Sequence, residues 1–305
     1  MKPSHNRMLR TVALCVIVCA FAISLASAQT ELEKALQQYN AETVTGYIQP
    51  VADLFGADMH AGYYHNAWIA ESGFGLGFDI IVMGSVVQDA QKSYIANTPP
   101  GFTPTTFKTA TIFGAKGTSI LNSIFPGLEY KGSDGIVNTS IFPLAVPQLR
   151  IGSLYGSDLT LRFISIPAIG DNKFPVITLW GVGVRHSISQ YIHECPLDLA
   201  AGVYFNSFTV GDLMDFKGFA VNAQASKSIK ILILYGGIAY ESSKMNLTYK
   251  STDPTAPAGV DITLTGANNF RFTVGVGLSL GILKIFADAN FGSVTNYSAG
   301  IGFGR

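Results

Sequence analysis

The sequence predicts an all-β fold: a transmembrane antiparallel up-and-down β-barrel behind a short helical N-terminal segment. Three observations carry that expectation. Apolar residues recur at every second position over runs of about ten residues, the length a tilted strand needs to cross a bilayer. Beyond residue 28 no window approaches 18 uninterrupted apolar residues, so spanning helices are not expected; Ile229–Tyr240, for example, contains Lys230, Gly236 and Gly237. The 305-residue chain is also 48% hydrophobic and only 13% charged, with 32 Gly, a composition foreign to disordered chains and to coiled coils.

The first element is an export signal over residues 1–28. Lys2, Arg7 and Arg10 give it a basic start, Val12 to Ala22 is almost wholly apolar, and Ala26-Ser27-Ala28 offers a cleavage site between Ala28 and Gln29. Lipoprotein processing at Cys19 is disfavoured because Val18 stands where a small residue is wanted. Before cleavage, 20 basic and 20 acidic side chains cancel; afterwards 17 face 20, a net charge of −3, and no nucleic-acid partner is suggested. Cys15 and Cys19 leave with the signal. Cys195 then stands alone, and no disulfide can staple the fold.

Residues 29–66 have a different character. Glu31 to Ala41 is helix-prone, with Leu32, Ala35, Leu36 and Tyr39 on one face. Thr43–Phe55 predicts a second short helix interrupted by Gly46 and Pro50. Tyr47, Phe55, His60, Tyr63, Tyr64 and His65 are the candidate residues of a plug that enters the lumen. A periplasmic extension resting on the rim is the alternative, and both stand at this stage.

Residues 67–305 are assigned to the barrel. Its first strand is 74–88, where Phe74, Leu76, Phe78, Ile80 and Val82 alternate with Gly75, Gly77 and Asp79. Later strands are expected at 144–154, 156–167, 176–190, 196–209, 216–229, 231–250, 259–281, 283–292 and 294–304. The 270–281 run sets Phe270, Phe272, Val274, Val276, Leu278 and Leu280 against Arg271, Thr273 and four small residues. A soluble β-sandwich also alternates, but here the polar face is Gly-rich with single Arg, Asp and Asn residues, which suits a crowded wet lumen. Tight connections near 155, 230 and 282 and longer ones at 168–175, 210–215 and 251–258 orient the C-terminus to the periplasm. The 231–250 and 259–281 arms look overlong, as if their hairpin projects past the membrane. Parity slips between Tyr240 and Met245, which suggests a bulge or turn. The 89–143 stretch must return to its own side, so it adds two strands or none; Thr106–Phe113 is a plausible member, and twelve strands are favoured over ten. Thr98-Pro99-Pro100-Gly101-Phe102-Thr103-Pro104 reads as an exposed loop.

No catalytic, metal or cofactor constellation is found, and an enzyme is not expected. His60 and His65 lack a fixed third ligand, and His193-Glu194-Cys195 supplies too few ligands. His186 and Ser187 are neighbours and point to opposite faces of a strand. Asp79, Arg150, Asp158, Arg162, Arg185, Arg271, Lys284 and Asp288 all fall on the polar parity. They are the candidate lumen-lining residues, as cross-strand ion pairs or as the field a solute meets.

The signal peptide, the leader running into Gly62-Tyr63-Tyr64-His65-Asn66-Ala67, the segment Val146-Pro147-Gln148-Leu149-Arg150-Ile151-Gly152 and the C-terminal alternation resemble an uncharacterised family of bacterial outer-membrane β-barrels. That family is itself loosely similar to hatch-containing long-chain fatty-acid transporters. The resemblance implies a Gram-negative outer membrane and passive transport of small, hydrophobic solutes past an N-terminal plug. The alternative is a structural or interaction barrel with a closed lumen and displayed loops. The partners implied are outer-membrane lipid, the barrel-assembly machinery during insertion and a small-molecule solute.

Overall fold

The structure, a computed structural model, describes residues 41–168, 175–249 and 260–304. The export signal, its cleavage point and the helix expected from Glu31 lie outside the described residues. Helix α1 (Ala41–His60) precedes β1 (Gly75–Val86). An insertion then holds β2 (Ser93–Asn97), β3 (Thr106–Ala110), β4 (Ser119–Leu121) and β5 (Glu129–Lys131). Next come β6 (Ile141–Leu154), β7 (Ser157–Ile166), β8 (Ile177–Ser187), β9 (Asp198–Val210) and β10 (Met214–Ile229). The chain finishes with β11 (Leu232–Tyr249), β12 (Val260–Thr265), β13 (Phe270–Leu280), β14 (Leu283–Phe291) and β15 (Asn296–Gly304).

Ten strands close into a ring: β1, β6 to β11, and β13 to β15, each antiparallel to its neighbours. β1 meets β15 with Ile80 opposite Ile301, and β10 meets β11 with Val221 opposite Tyr240. Every strand of the ring has a partner on both sides, which is what a lipid environment demands of a sheet, although β6 and β7 pair only from Gln148–Arg162 down to their turn.

The count is ten, not the favoured twelve. Thr106–Ala110 pairs with Ser93–Asn97 in a separate two-stranded sheet, and β4 pairs only with β5. These hairpins pack over one end of the barrel, where β2 touches α1 and Ile112 donates a backbone hydrogen bond to Tyr47. The 259–281 arm is two strands. β13 lies against the lower half of β11, while β12 pairs with its upper end over Lys244–Tyr249, outside the ring.

The supposed parity slip in β11 is absent. Its register against β10 runs unbroken from Ile229–Leu232 to Met214–Leu247. What changes is polarity. Leu234, Ile238 and Tyr240 face outward and are exposed, and above them Lys244 and Asn246 take the same face. Over that stretch the inward positions turn apolar, with Met245 and Leu247 buried. The inversion marks the edge of the apolar outer band. Cross-strand aromatic pairs lie at that level: Phe163 opposite Trp180, Phe205 opposite Phe219, Tyr240 opposite Phe270, and Phe272 opposite Phe291. Such a girdle is the signature of a barrel at a lipid–water interface. Among the described residues no helix is long and apolar enough to cross a membrane.

Two-residue turns close one end of the barrel, at Tyr155-Gly156, Lys230-Ile231 and Gly281-Ile282. Tyr155 and Gly156 are both left-handed (φ 50° and 68°), which matches the twist of a tight hairpin. The same end also carries the ten-residue connection from β8 to β9; the opposite end carries the insertion and the β7–β8 and β11–β12 connections, although β9–β10 and β14–β15 are joined there by only three and four residues.

Candidate functional site

The space inside the ring is occupied by the chain itself. α1 runs unbroken through Gly46 and Pro50, where a short helix over Thr43–Phe55 interrupted at those residues is expected from sequence. Surrounding contacts override the local propensity: α1 packs against β1, β6, β9, β10, β11 and β12. Gly46 is required by close approach, because any side chain there would run into the Tyr94 ring. The descent of the segment is legible on β1 alone. Ser85 Oγ donates to Leu54 O (3.0 Å) and bonds Asp58 Oδ1 (2.7 Å), Ile81 lies beside Gly62, and His65 reaches Asp79 lower down. At the short-turn end the Ala67 amide donates to Ser226 Oγ (2.9 Å), and the chain turns back into β1.

Two zones hold this segment. Near the long-loop end the contact is apolar: Phe55 packs against Phe208 (4.7 Å between centroids), Phe216 (4.9 Å) and Phe142 (6.4 Å). Tyr47 sits higher, against the insertion, and donates to Asp134 O (2.8 Å). Asp53 accepts from Gln49 and from the Ala267 amide beyond the girdle, and burial raises its pKa. Asp58, fully buried, accepts from Asn296 and meets the Ser85 hydroxyl through Oδ1, while its second oxygen has no partner among the described residues. Desolvation raises the pKa of that carboxyl well above the ordinary range, which favours its neutral form.

Below, arginines of the wall bind main-chain carbonyls. Arg271 donates to Ala57 O (2.6 Å), and Arg162 to Met59 O (3.1 Å) and Ala61 O (2.7 Å). These carbonyls belong to the last turn of α1 and just beyond, where acceptors lack intrahelical donors and the helix dipole is negative. Arg185 donates to Asn66 O (2.7 Å) and is clamped by Asp158. Arg162 also lies 3.6 Å over the Tyr63 ring, and Tyr63 in turn donates to Asn206 and packs on Tyr204. Tyr64 stacks edge-on near Tyr235, and His65 lies on Phe286 (4.5 Å). His60 contacts Asn206 at 3.4 Å.

All eight charges placed on the polar parity point inward. They divide into groups. Arg150 makes a two-pronged pair with Asp79 (2.9 and 3.2 Å), Arg185 one with Asp158, and Arg271 pairs with Glu241 (2.8 Å). Asp288 is bound by Tyr235 (2.9 Å), Ser298 and Asn290. Arg162 has no carboxylate partner among the described residues and relies on carbonyls, Gln148 and Tyr63. Lys284 forms no ion pair there. Glu241 was overlooked in the sequence, although its odd-numbered parity with Tyr235 marks it as inward; the imagined slip above Tyr240 hid it. Gln148, Asn206, Gln224 and Asn290 also turn inward, and as neutral side chains they carry no charge signal that would mark them as site residues in sequence.

One pair elsewhere has catalytic residue types. On the outer wall at the short-turn end, Ser157 Oγ lies 2.8 Å from His186 Nδ1. The other ring nitrogen meets Tyr191 Oη and the Gln190 amide, both at 2.9 Å. No carboxylate orients the imidazole, the feature a Ser-His-acid triad requires. Among the described residues no group of three metal-ligating side chains occurs.

A family model matches residues 6–305, almost the whole sequence. The chain belongs to DUF6588, a family of unknown function. No curated protein matches it. Among solved structures it is similar to the toluene transporter TbuX of Ralstonia pickettii, at 9% identity over 88% of this chain and 98% of that one (TM-score 0.28). OmpT of Vibrio cholerae is 9% identical over 76% and 99% of the two chains (TM-score 0.27). The NalP translocator domain of Neisseria meningitidis is 12% identical over 87% and 95% (TM-score 0.27). For this DUF6588 member, closure of the barrel rests on its own strand register.

Proposed function

We propose that this protein is a gated outer-membrane barrel whose residues 41–74 plug the lumen and whose displacement admits small solutes. The outer band meets lipid, the C-terminus and tight turns face the periplasm, and the long connections face outward. The observation that carries the reading is how the lower half of the segment is held. Wall arginines 162, 185 and 271 grip its backbone carbonyls, and water can replace each of those bonds once the segment moves. A permanent core would fill the same space with apolar side chains, which water cannot replace. The aromatic cluster about Phe55 supports a second reading, a closed structural barrel that presents its insertion to a partner. Planar-bilayer recordings of the mature chain beside a variant lacking residues 29–60 separate the two. The gated reading expects small, rare openings from the first and a steady large conductance from the second. Silence from both refutes it.

A further inference from the structure

The short-turn mouth of the barrel holds a cavity that neither the barrel wall nor the segment fills. Its volume is about 330 Å³. It exists because the inward positions nearest the mouth carry no side chains: Gly75 and Gly77 on β1, Gly152 on β6 and Gly304 on β15. Arg150, Asp158, Arg185 and Lys284 supply its charged lining, and Trp68 and Phe74 its apolar lining. Of these charges, Arg185 and Asp158 neutralise each other. Arg150 is neutralised by Asp79 beneath the floor through Nε and Nη2, which leaves Nη1 without a partner among the described residues. Lys284 is left over. It is half-buried, faces the cavity, and forms neither an ion pair nor a hydrogen bond among the described residues. A cavity with one surplus positive charge, free N–H donors on two side chains and an aromatic wall is complementary to an anion carrying an apolar group.

We infer that this mouth cavity is a binding site for a small organic carboxylate, its negative group between Lys284 Nζ and Arg150 Nη1 and its apolar part against Trp68 and Phe74. The assignment does not depend on gating: the cavity is complete with the segment docked, because Trp68 and Phe74 belong to that segment and line it in place.

The sequence has two tryptophans, and Trp180 lies on the outer wall, so Trp180→Phe leaves Trp68 as the sole reporter in the cavity. The folded mature W180F protein in detergent is titrated with benzoate, with inorganic phosphate and with benzylammonium, at constant ionic strength. Benzoate is expected to change Trp68 emission saturably, and Lys284→Gln to weaken that binding about tenfold. Phosphate is expected to bind more weakly than benzoate, and benzylammonium not to saturate. Equal midpoints for benzoate and benzylammonium, or for the parent and K284Q, overturn the site. Phosphate binding without benzoate overturns the apolar half of the assignment. Because Lys284 forms no ion pair or hydrogen bond among the described residues, K284Q is expected to keep the parent's melting profile. Conductance plays no part in the readout, so failure here and failure of the gated reading are distinguishable.

Discussion

Arg162→Met is the most direct test of how the lumen segment is held. The guanidinium is buried and donates to two carbonyls of the segment, Met59 O at 3.1 Å and Ala61 O at 2.7 Å. Hydrogen bonds from a charged donor contribute about 1.5–3 kcal/mol each. The stack on Tyr63 adds about 2 kcal/mol in a desolvated setting. Against this gross figure of about 5–8 kcal/mol stands the cost of burying a guanidinium with no carboxylate beside it, several kcal/mol that methionine does not incur. The net expectation is that docking of residues 41–74 weakens by about 2–3 kcal/mol, which raises the undocked population roughly 30- to 150-fold. Native-state proteolysis reads that population directly when opening and closing are fast relative to cleavage. The folded mature protein in detergent is digested and the loss of its N-terminal segment followed, with Lys217→Met on the exposed outer wall as control. Cleavage of the Arg162 variant at the rate of the control refutes the carbonyl-clamp argument.

Three further outcomes follow from neighbouring contacts. Glu241→Ala strands the buried Arg271 and is expected to cost about 3–5 kcal/mol, whereas the double replacement Glu241→Met with Arg271→Met costs less; heat-induced gel mobility shifts rank them. Asp58→Asn is expected to change the same transition by no more than about 1 kcal/mol, because burial raises the carboxyl's pKa and the amide matches its neutral form, while Asp58→Ala leaves Asn296 without its acceptor at about 1–3 kcal/mol. Gly46→Ala would stabilise a free helix by about 1 kcal/mol. Here it is expected to destabilise, since overpacking against Tyr94 costs about 1–3 kcal/mol, and a melt of G46A beside the double variant G46A/Y94L reveals the contact as recovery in the latter.

Much of the architecture was legible because a membrane barrel writes its environment into alternate residues. Phe78, Ile80 and Val82 had to face lipid, so Asp79 had to face inward, and the same logic pointed Arg150, Asp158, Arg162, Arg185, Arg271, Lys284 and Asp288 to the interior. Parity reports a face and nothing about height along the strand. The polarity inversion above Tyr240 therefore looked like a bulge, because the rule of apolar-out holds only within the lipid band. Strand count failed for a related reason. Thr106–Ala110 has strand composition, and local composition is blind to whether a strand joins the ring or a small hairpin outside it.

By itself, then, the amino-acid order determined the class of fold, the faces of its strands and which charges turn away from lipid, since those depend on period two and on solvent alone. The tertiary structure decided the rest. Ring closure through β1 and β15, a helix carried intact across Gly46 and Pro50, the pairing of Arg271 with Glu241, and the grip of Arg162 on Met59 and Ala61 join residues 30 to more than 200 positions apart. Such contacts depend on strand register and on what fills the interior, and neither leaves a local trace in sequence.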